Sequence, residues 1–146
     1  MASFRRNKKG FTLIELLVVI AIIGILGAIV AVSTTAIMKN ARKNAASSRL
    51  RSDWKITATA FNQINKGFTT TKKPTKDLLA TRLGTTKVLL GTENCPNLDD
   101  DYVYIKYEET NKVNAKYKVV AIYTRYKDKY YYTTDGQTIT GPKSSP

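Results

Sequence analysis

A chain of 146 residues has room for one domain of ordinary size, and a long apolar stretch near the N-terminus takes up part of it, so the water-facing remainder is small. The formal charge is +13, from 24 Lys and Arg against 11 Asp and Glu, and a net +9 survives removal of the first ten residues. Such a surface attracts nucleic-acid phosphates, anionic lipid and acidic cell-wall polymer alike, so charge alone names no partner. The absence of histidine removes the commonest general base and metal ligand. The single cysteine, Cys95, excludes an intramolecular disulfide and reads as a half-buried thiol in a loop.

The first ten residues, MASFRRNKKG, are polar and basic, and Phe11 opens an apolar segment that runs to Val32. Leu16 to Val32 is an uncharged run of 17 residues. With its flanks to Met38 it reaches the ~20 residues that a helix needs to cross a hydrocarbon core about 30 Å thick. A secretory signal peptide also starts with a basic region and an apolar core, and cleavage after Ala31 or Ala36 would fit that pattern. Glu15 argues against it. A carboxylate in an apolar segment costs on the order of 2.5 to 3.5 kcal/mol near a bilayer centre, less near the interface, and such groups are usually functional and paired. The plainer alternative is a single-pass anchor whose glutamate snorkels to the interface.

The string Lys9-Gly10-Phe11-Thr12-Leu13-Ile14-Glu15-Leu16 resembles the processing and assembly motif of type IV pilins and pseudopilins. The resemblance extends through the apolar run and is architectural beyond about residue 65. It implies cleavage between Gly10 and Phe11 by a prepilin peptidase on the cytoplasmic side, N-methylation of the new Phe11 amine, and pairing of that amine with Glu15 of a neighbouring subunit. The physical chemistry of each position agrees. A glycine at Gly10 permits close backbone approach, the basic leader holds its end in the cytoplasm, and an ion pair in a low-dielectric medium fixes register more than it adds net stability. Many members of the family carry a proline in the second half of this helix; here there is none between Phe11 and Met38, and Gly24 and Gly27 are its weak points.

Beyond Lys39, Ala46, Leu50, Trp54, Ala58, Phe61 and Ile64 recur at helical spacing, predicting one helix from Thr12 to about Asn65, about 80 Å long, with an apolar stripe for a small sheet to cover. Lys39, Arg42, Lys43, Arg49, Arg51 and Lys55 place a basic run on it, read as a solvated face or a contact with lipid headgroups or neighbouring subunits. Lys66-Gly67 predicts its end. A polar linker, Phe68 to Lys76, leads to a short helix over Asp77 to Gly84 entered near Thr75, and a short strand over Lys87 to Leu90. Strand patterns follow at Tyr102 to Glu108, Lys116 to Tyr126 and Lys129 to Thr133, then a turn at Asp135-Gly136 and a last strand over Gln137 to Thr140.

Asp99, Asp100 and Asp101 carry the oxygens a calcium site needs, but no EF-hand spacing surrounds them, and they read as a solvated acidic loop. Nine tyrosines among lysines offer faces on which bases stack, although tyrosine is also a favoured strand residue. No nucleophile and base pair, phosphate-binding glycine loop, zinc spacing or dinucleotide fingerprint is present. The sequence therefore predicts no catalytic, cofactor-binding or metal residues.

The expectation is an α+β pilin fold, a long N-terminal helix packed against a small antiparallel sheet. Residues 1–10 are the leader, 11–38 the transmembrane and filament-core helix, and 39–146 the globular head, with the helix continuing over 39–66 and the sheet over about 87–140. By the resemblance, the chain is a non-enzymatic subunit of a filament serving adhesion, motility or aggregation. It spans the cytoplasmic membrane once before assembly and is extracellular after it. The partners implied are copies of itself and other pilins, the prepilin peptidase and methyltransferase, and an inner-membrane assembly platform. The alternative is a pseudopilin of a secretion system or a competence pilin, for which DNA is a further partner.

Overall fold

The computed structural model describes residues 10–146, so the basic residues Arg5, Arg6, Lys8 and Lys9 of the expected leader lie outside the described residues. The fold is α+β. Helix α1 spans Leu13–Asn65, α2 Lys76–Leu83, and five strands follow: β1 Val88–Gly91, β2 Val103–Asn111, β3 Lys116–Tyr126, β4 Lys129–Thr133 and β5 Thr140–Lys143. The chain divides into two compact units between Asn40 and Ala41.

In the first unit α1 is apolar all round, and large side chains from Phe11 to Val30 stand exposed, with Phe11 at 83% and Val19 at 45%. An apolar helix with no covering layer belongs in lipid or among other helices. This one is long and apolar enough to cross a membrane. A Cβ built on Gly24 or Gly27 would meet nothing within 4 Å, so neither glycine is required by packing inside this chain.

In the second unit α1 buries Ala46, Leu50, Asp53, Thr57, Ala60, Phe61 and Ile64. Apart from the adjacent Ala60 and Phe61, successive residues of this set lie three or four apart, one face of a 3.6-residue helix. The expected stripe is thus rotated: Trp54 and Ala58 sit half-buried at its edge, and the polar Asp53 and Thr57 occupy its centre. The helix stops in a two-bond cap at its C-terminus. Gly67 at φ 73 donates to the Ile64 carbonyl, and Phe68 donates to that of Gln63. Glycine enters this left-handed position without Cβ strain, which is why the helix ends there. Helix α2 is capped at both ends as its sequence predicts, by the Thr75 hydroxyl accepting from Leu78 and by Gly84 at φ 65.

The sheet runs β1-β2-β3-β4-β5 and is mostly antiparallel. The exception is β1, which pairs parallel with β2, Val88 opposite Val103. The expected all-antiparallel arrangement is thus corrected at one edge. A parallel neighbour needs a crossover, and the segment from Thr92 to Tyr102 supplies it without a helix. The last strand begins three residues later than expected, because Gln137 and Thr138 are held in the preceding turn, their amides both donating to Asp135 Oδ1 at 2.8 Å.

The alternation of β3 is broken by a bulge. Lys106 pairs with Ala121 and Tyr107 with Val119, so Val120 has no partner on β2. The extra residue shifts the parity, and Tyr117, Val119, Ile122 and Thr124 are all buried. Tyr117, Val119 and Ile122 join Leu50, Phe61, Ile64, Val103 and Ile105 in the core, where Phe61 meets Tyr107 edge-on at 5.9 Å. The 92–102 crossover builds a second, smaller core. Leu98 packs with Tyr104 and Tyr130, and Tyr130 Oη accepts from the Leu98 amide at 3.0 Å. Cys95 packs against this cluster, where burial pushes its thiol up to about 12.

Asp53 is the anomalous core residue. It is 8% exposed, its Oδ2 has no hydrogen-bond partner, and Arg49 Nε lies 3.7 Å away. Burial raises its carboxyl to about 6, with Arg49 pulling the other way. Because the folded value exceeds the unfolded one, folding favours the protonated acid. That contribution is complete below about pH 4 and lost as pH rises through 6. Asp53→Asn is therefore expected to stabilise the protein by roughly 1–2 kcal/mol at pH 7.5 and not at pH 4. Thermal unfolding at the two pH values checks this, and equal shifts would show that the carboxylate is not penalised.

Candidate processing and assembly site

The N-terminal end of α1 is built from the TLIE of the apolar segment. Thr12 Oγ1 accepts from the Glu15 amide at 3.4 Å, and the Thr12 amide donates to Glu15 Oε2 at 2.8 Å. This reciprocal arrangement is a capping box, which satisfies two amides that the first turn leaves without intrahelical partners. Thr12 Oγ1 also donates to the same Oε2 at 2.7 Å, and the Leu16 amide reaches the Thr12 carbonyl at 3.3 Å. A carboxylate in the first turn is further favoured by the helix dipole. Thr12 is the residue the reading of this motif overlooks, although Thr followed three positions on by Glu is a legible capping signal.

Glu15 thus has an intramolecular role, beside the intermolecular one that the resemblance implies. Only Oε2 is engaged; Oε1 takes no hydrogen bond from the described residues. Phe11 and Glu15 come together on one side of the helix end, lining a shallow apolar recess of about 340 Å³ with Ile14, Val18 and Val19. Gly10 and Phe11 precede the helix and are exposed, and a Cβ on Gly10 would meet nothing within 4 Å. The Gly10–Phe11 peptide is therefore non-helical and open to approach, as a peptide bond entering a protease must be.

The other sequence candidates find structural partners. Asp100 lies 3.4 Å from Arg125 Nε, and Asp101 lies 3.6 Å from Arg49 Nη1 and 4.0 Å from Lys87 Nζ. Arg49 also donates to the Asp101 carbonyl at 3.1 Å. These carboxylates tie the crossover to α1 and β3, and no group of three His, Cys, Asp or Glu able to hold a metal occurs among the described residues. Of the tyrosines, Tyr104, Tyr117, Tyr130 and Tyr131 are buried. Tyr123 and Tyr132 stack at 5.3 Å, with Lys143 Nζ 4.8 Å from the Tyr132 ring. In the basic run on α1, Arg49 is committed to its carboxylates, whereas Lys43 and Arg51 border an open groove with Ser47, Gln137 and Thr138.

Residues 5–31 match the family model of the prokaryotic N-terminal methylation motif. No curated protein matches the chain, and no solved structure does. The match covers the segment that holds the Gly10–Phe11 bond, the Thr12–Glu15 cap and the start of the exposed apolar helix, so by this motif the chain carries the signature of a type IV prepilin.

Proposed function

We propose that the chain is the precursor of a structural subunit of a type IV pilus-like filament, cut between Gly10 and Phe11 and methylated on the Phe11 amine. The observation that supports this most directly is the helix start: an open Gly-Phe bond, then a capped turn holding Glu15, then an apolar helix with no covering layer. Cleavage leaves a cation on Phe11. In a neighbouring subunit, Glu15 Oε1 is available to accept it while Oε2 keeps its cap. Pairing in a low-dielectric medium sets the axial stagger between subunits.

On this reading residues 1–10 are the leader, 11–38 span the cytoplasmic membrane before assembly, and 39–146 face solvent. The partners are copies of the chain and other pilins, the peptidase and methyltransferase, and the membrane assembly platform. Adhesion, motility or aggregation follows from the filament and not from a catalytic site. The same helix start serves a pseudopilin or competence pilin equally. The net +9 does not choose among these, and salt-sensitive DNA binding by residues 39–146 would mark the DNA-uptake version.

The deciding experiment is the intact mass and N-terminal residue of protein recovered from material sheared off cells. The expected product begins at methylated Phe11. An uncut Met1, or retention of all the protein in membranes, would overturn the filament reading.

A further inference from the structure

The second unit exposes two large apolar side chains among its described residues, Phe68 at 78% and Val113 at 91%. They lie far apart in sequence but at one end of the fold. Phe68 follows the glycine that closes α1, and Val113 tips the β2–β3 hairpin. Asn65 joins the two, its Nδ2 donating to the Tyr117 carbonyl and its Oδ1 accepting from the Tyr117 amide, both at 2.8 Å. The α1–α2 loop and the hairpin tip also share a small cavity of about 230 Å³, lined by Gly67, Thr71 and Lys72 from one and Asn114 and Ala115 from the other.

The hairpin is set so as to project its tip. Asn111 Oδ1 accepts from the Val113 and Asn114 amides at 2.9 and 3.1 Å, and Ala115 sits at φ 46. Neither Phe68 nor Val113 belongs to either hydrophobic core. Lys66, Lys72 and Lys73 flank Phe68 along the chain, Lys112 and Lys116 flank Val113, and all five are exposed. This end of the fold thus carries two exposed apolar side chains, each with exposed lysines close to it in the chain.

We infer that this end, Phe68 and Val113 with their flanking lysines, docks onto an anionic lipid surface. Apolar tips gain by leaving water for the acyl boundary, while lysines stay at headgroup level, each supplying about fivefold in binding near an anionic surface. Charge complementarity selects lipid over a second copy of the chain. A copy without its first ten residues is itself net +9, and in its Asp99–Asp101 run Asp100 and Asp101 are already paired with Arg125, Arg49 and Lys87. A polyanion such as nucleic acid would satisfy the lysines but give Phe68 and Val113 no reason to face water.

The test uses the full chain held by its apolar helix in phosphatidylcholine nanodiscs, mixed with separate vesicles and floated. Vesicles of phosphatidylcholine with a third phosphatidylglycerol should carry the nanodiscs up, and pure phosphatidylcholine vesicles should not. Phe68→Ser with Val113→Ser, both exposed and outside the cores, should weaken flotation about tenfold with an unchanged circular dichroism spectrum. Unchanged flotation of that variant would overturn the proposal, since charge alone would then suffice. Nanodiscs that cluster without vesicles, and stop clustering in the variant, would also overturn it by making a second copy the occupant.

Discussion

Glu15→Ala is expected to remove surface filaments while leaving the protein in the membrane, and Glu15→Gln should do the same. The two substitutions separate the two roles of this residue. Glutamine at the third helical position still accepts from the Thr12 amide, so it preserves the capping box and removes only the charge. Losing the cap costs on the order of 1 kcal/mol, too little to prevent assembly. Leaving the Phe11 amine without its anion in lipid costs about 3–5 kcal/mol at each contact, which lowers association by roughly two to nearly four orders of magnitude. Immunoblots of sheared and membrane fractions read the outcome. Filaments retained in Glu15→Gln and lost in Glu15→Ala would mean that Glu15 acts through the helix cap and that the ion pair is dispensable.

A second large effect is expected in the head at Gly136. Its φ is +75, and a Cβ there would lie 2.2 Å from Trp54 Cδ1, against a ring that cannot swing aside as a flexible chain end would. The turn around it is fixed by Thr133 and Asp135. The Gly136 amide donates to Thr133 Oγ1 at 2.9 Å, and Asp135 accepts from Gln137, Thr138 and Thr133, bonds that hold its carboxyl down at about 2. Gly136→Ala should therefore cost roughly 2–5 kcal/mol, the sum of a left-handed alanine and an overpacked indole. In a Trp54→Ala background the steric part vanishes and about 1 kcal/mol remains. Thermal unfolding of the four proteins of this cycle gives the coupling. Equal costs in both backgrounds would show that Trp54 does not press on the glycine.

The elements legible in the sequence are those set by local chemistry. The ends of both helices follow from Gly67, Thr75 and Gly84, and β3 and β4 follow from β-branched and aromatic runs. What tertiary structure imposes is hidden. Nothing local distinguishes a parallel from an antiparallel β1, because its partner is chosen by the path of the 92–102 segment. The buried stripe on α1 is displaced toward Asp53 and Thr57 because apolar spacing weighs side-chain type and not which face the sheet reaches. The acidic triplet suggests a cation, but its arginine partners lie 25 and more residues away in sequence. At the processing site Gly10, Phe11 and Glu15 stand out by motif. Thr12 is legible only as the first residue of a Thr-x-x-Glu capping pattern, which the structure completes with its hydroxyl on the Glu15 amide.

The bare flank of α1 limits how this chain can travel. Its exposed Leu, Ile, Val and Phe side chains would each lose about 1.5–3 kcal/mol if wetted, a total of tens of kcal/mol for the run from Phe11 to Val30. No thermal fluctuation carries such a helix through water. On the proposed filament reading, a subunit that leaves the bilayer has to pass side-on from lipid to protein without a hydrated interval, and one removed from a polymer has to return by the same dry route.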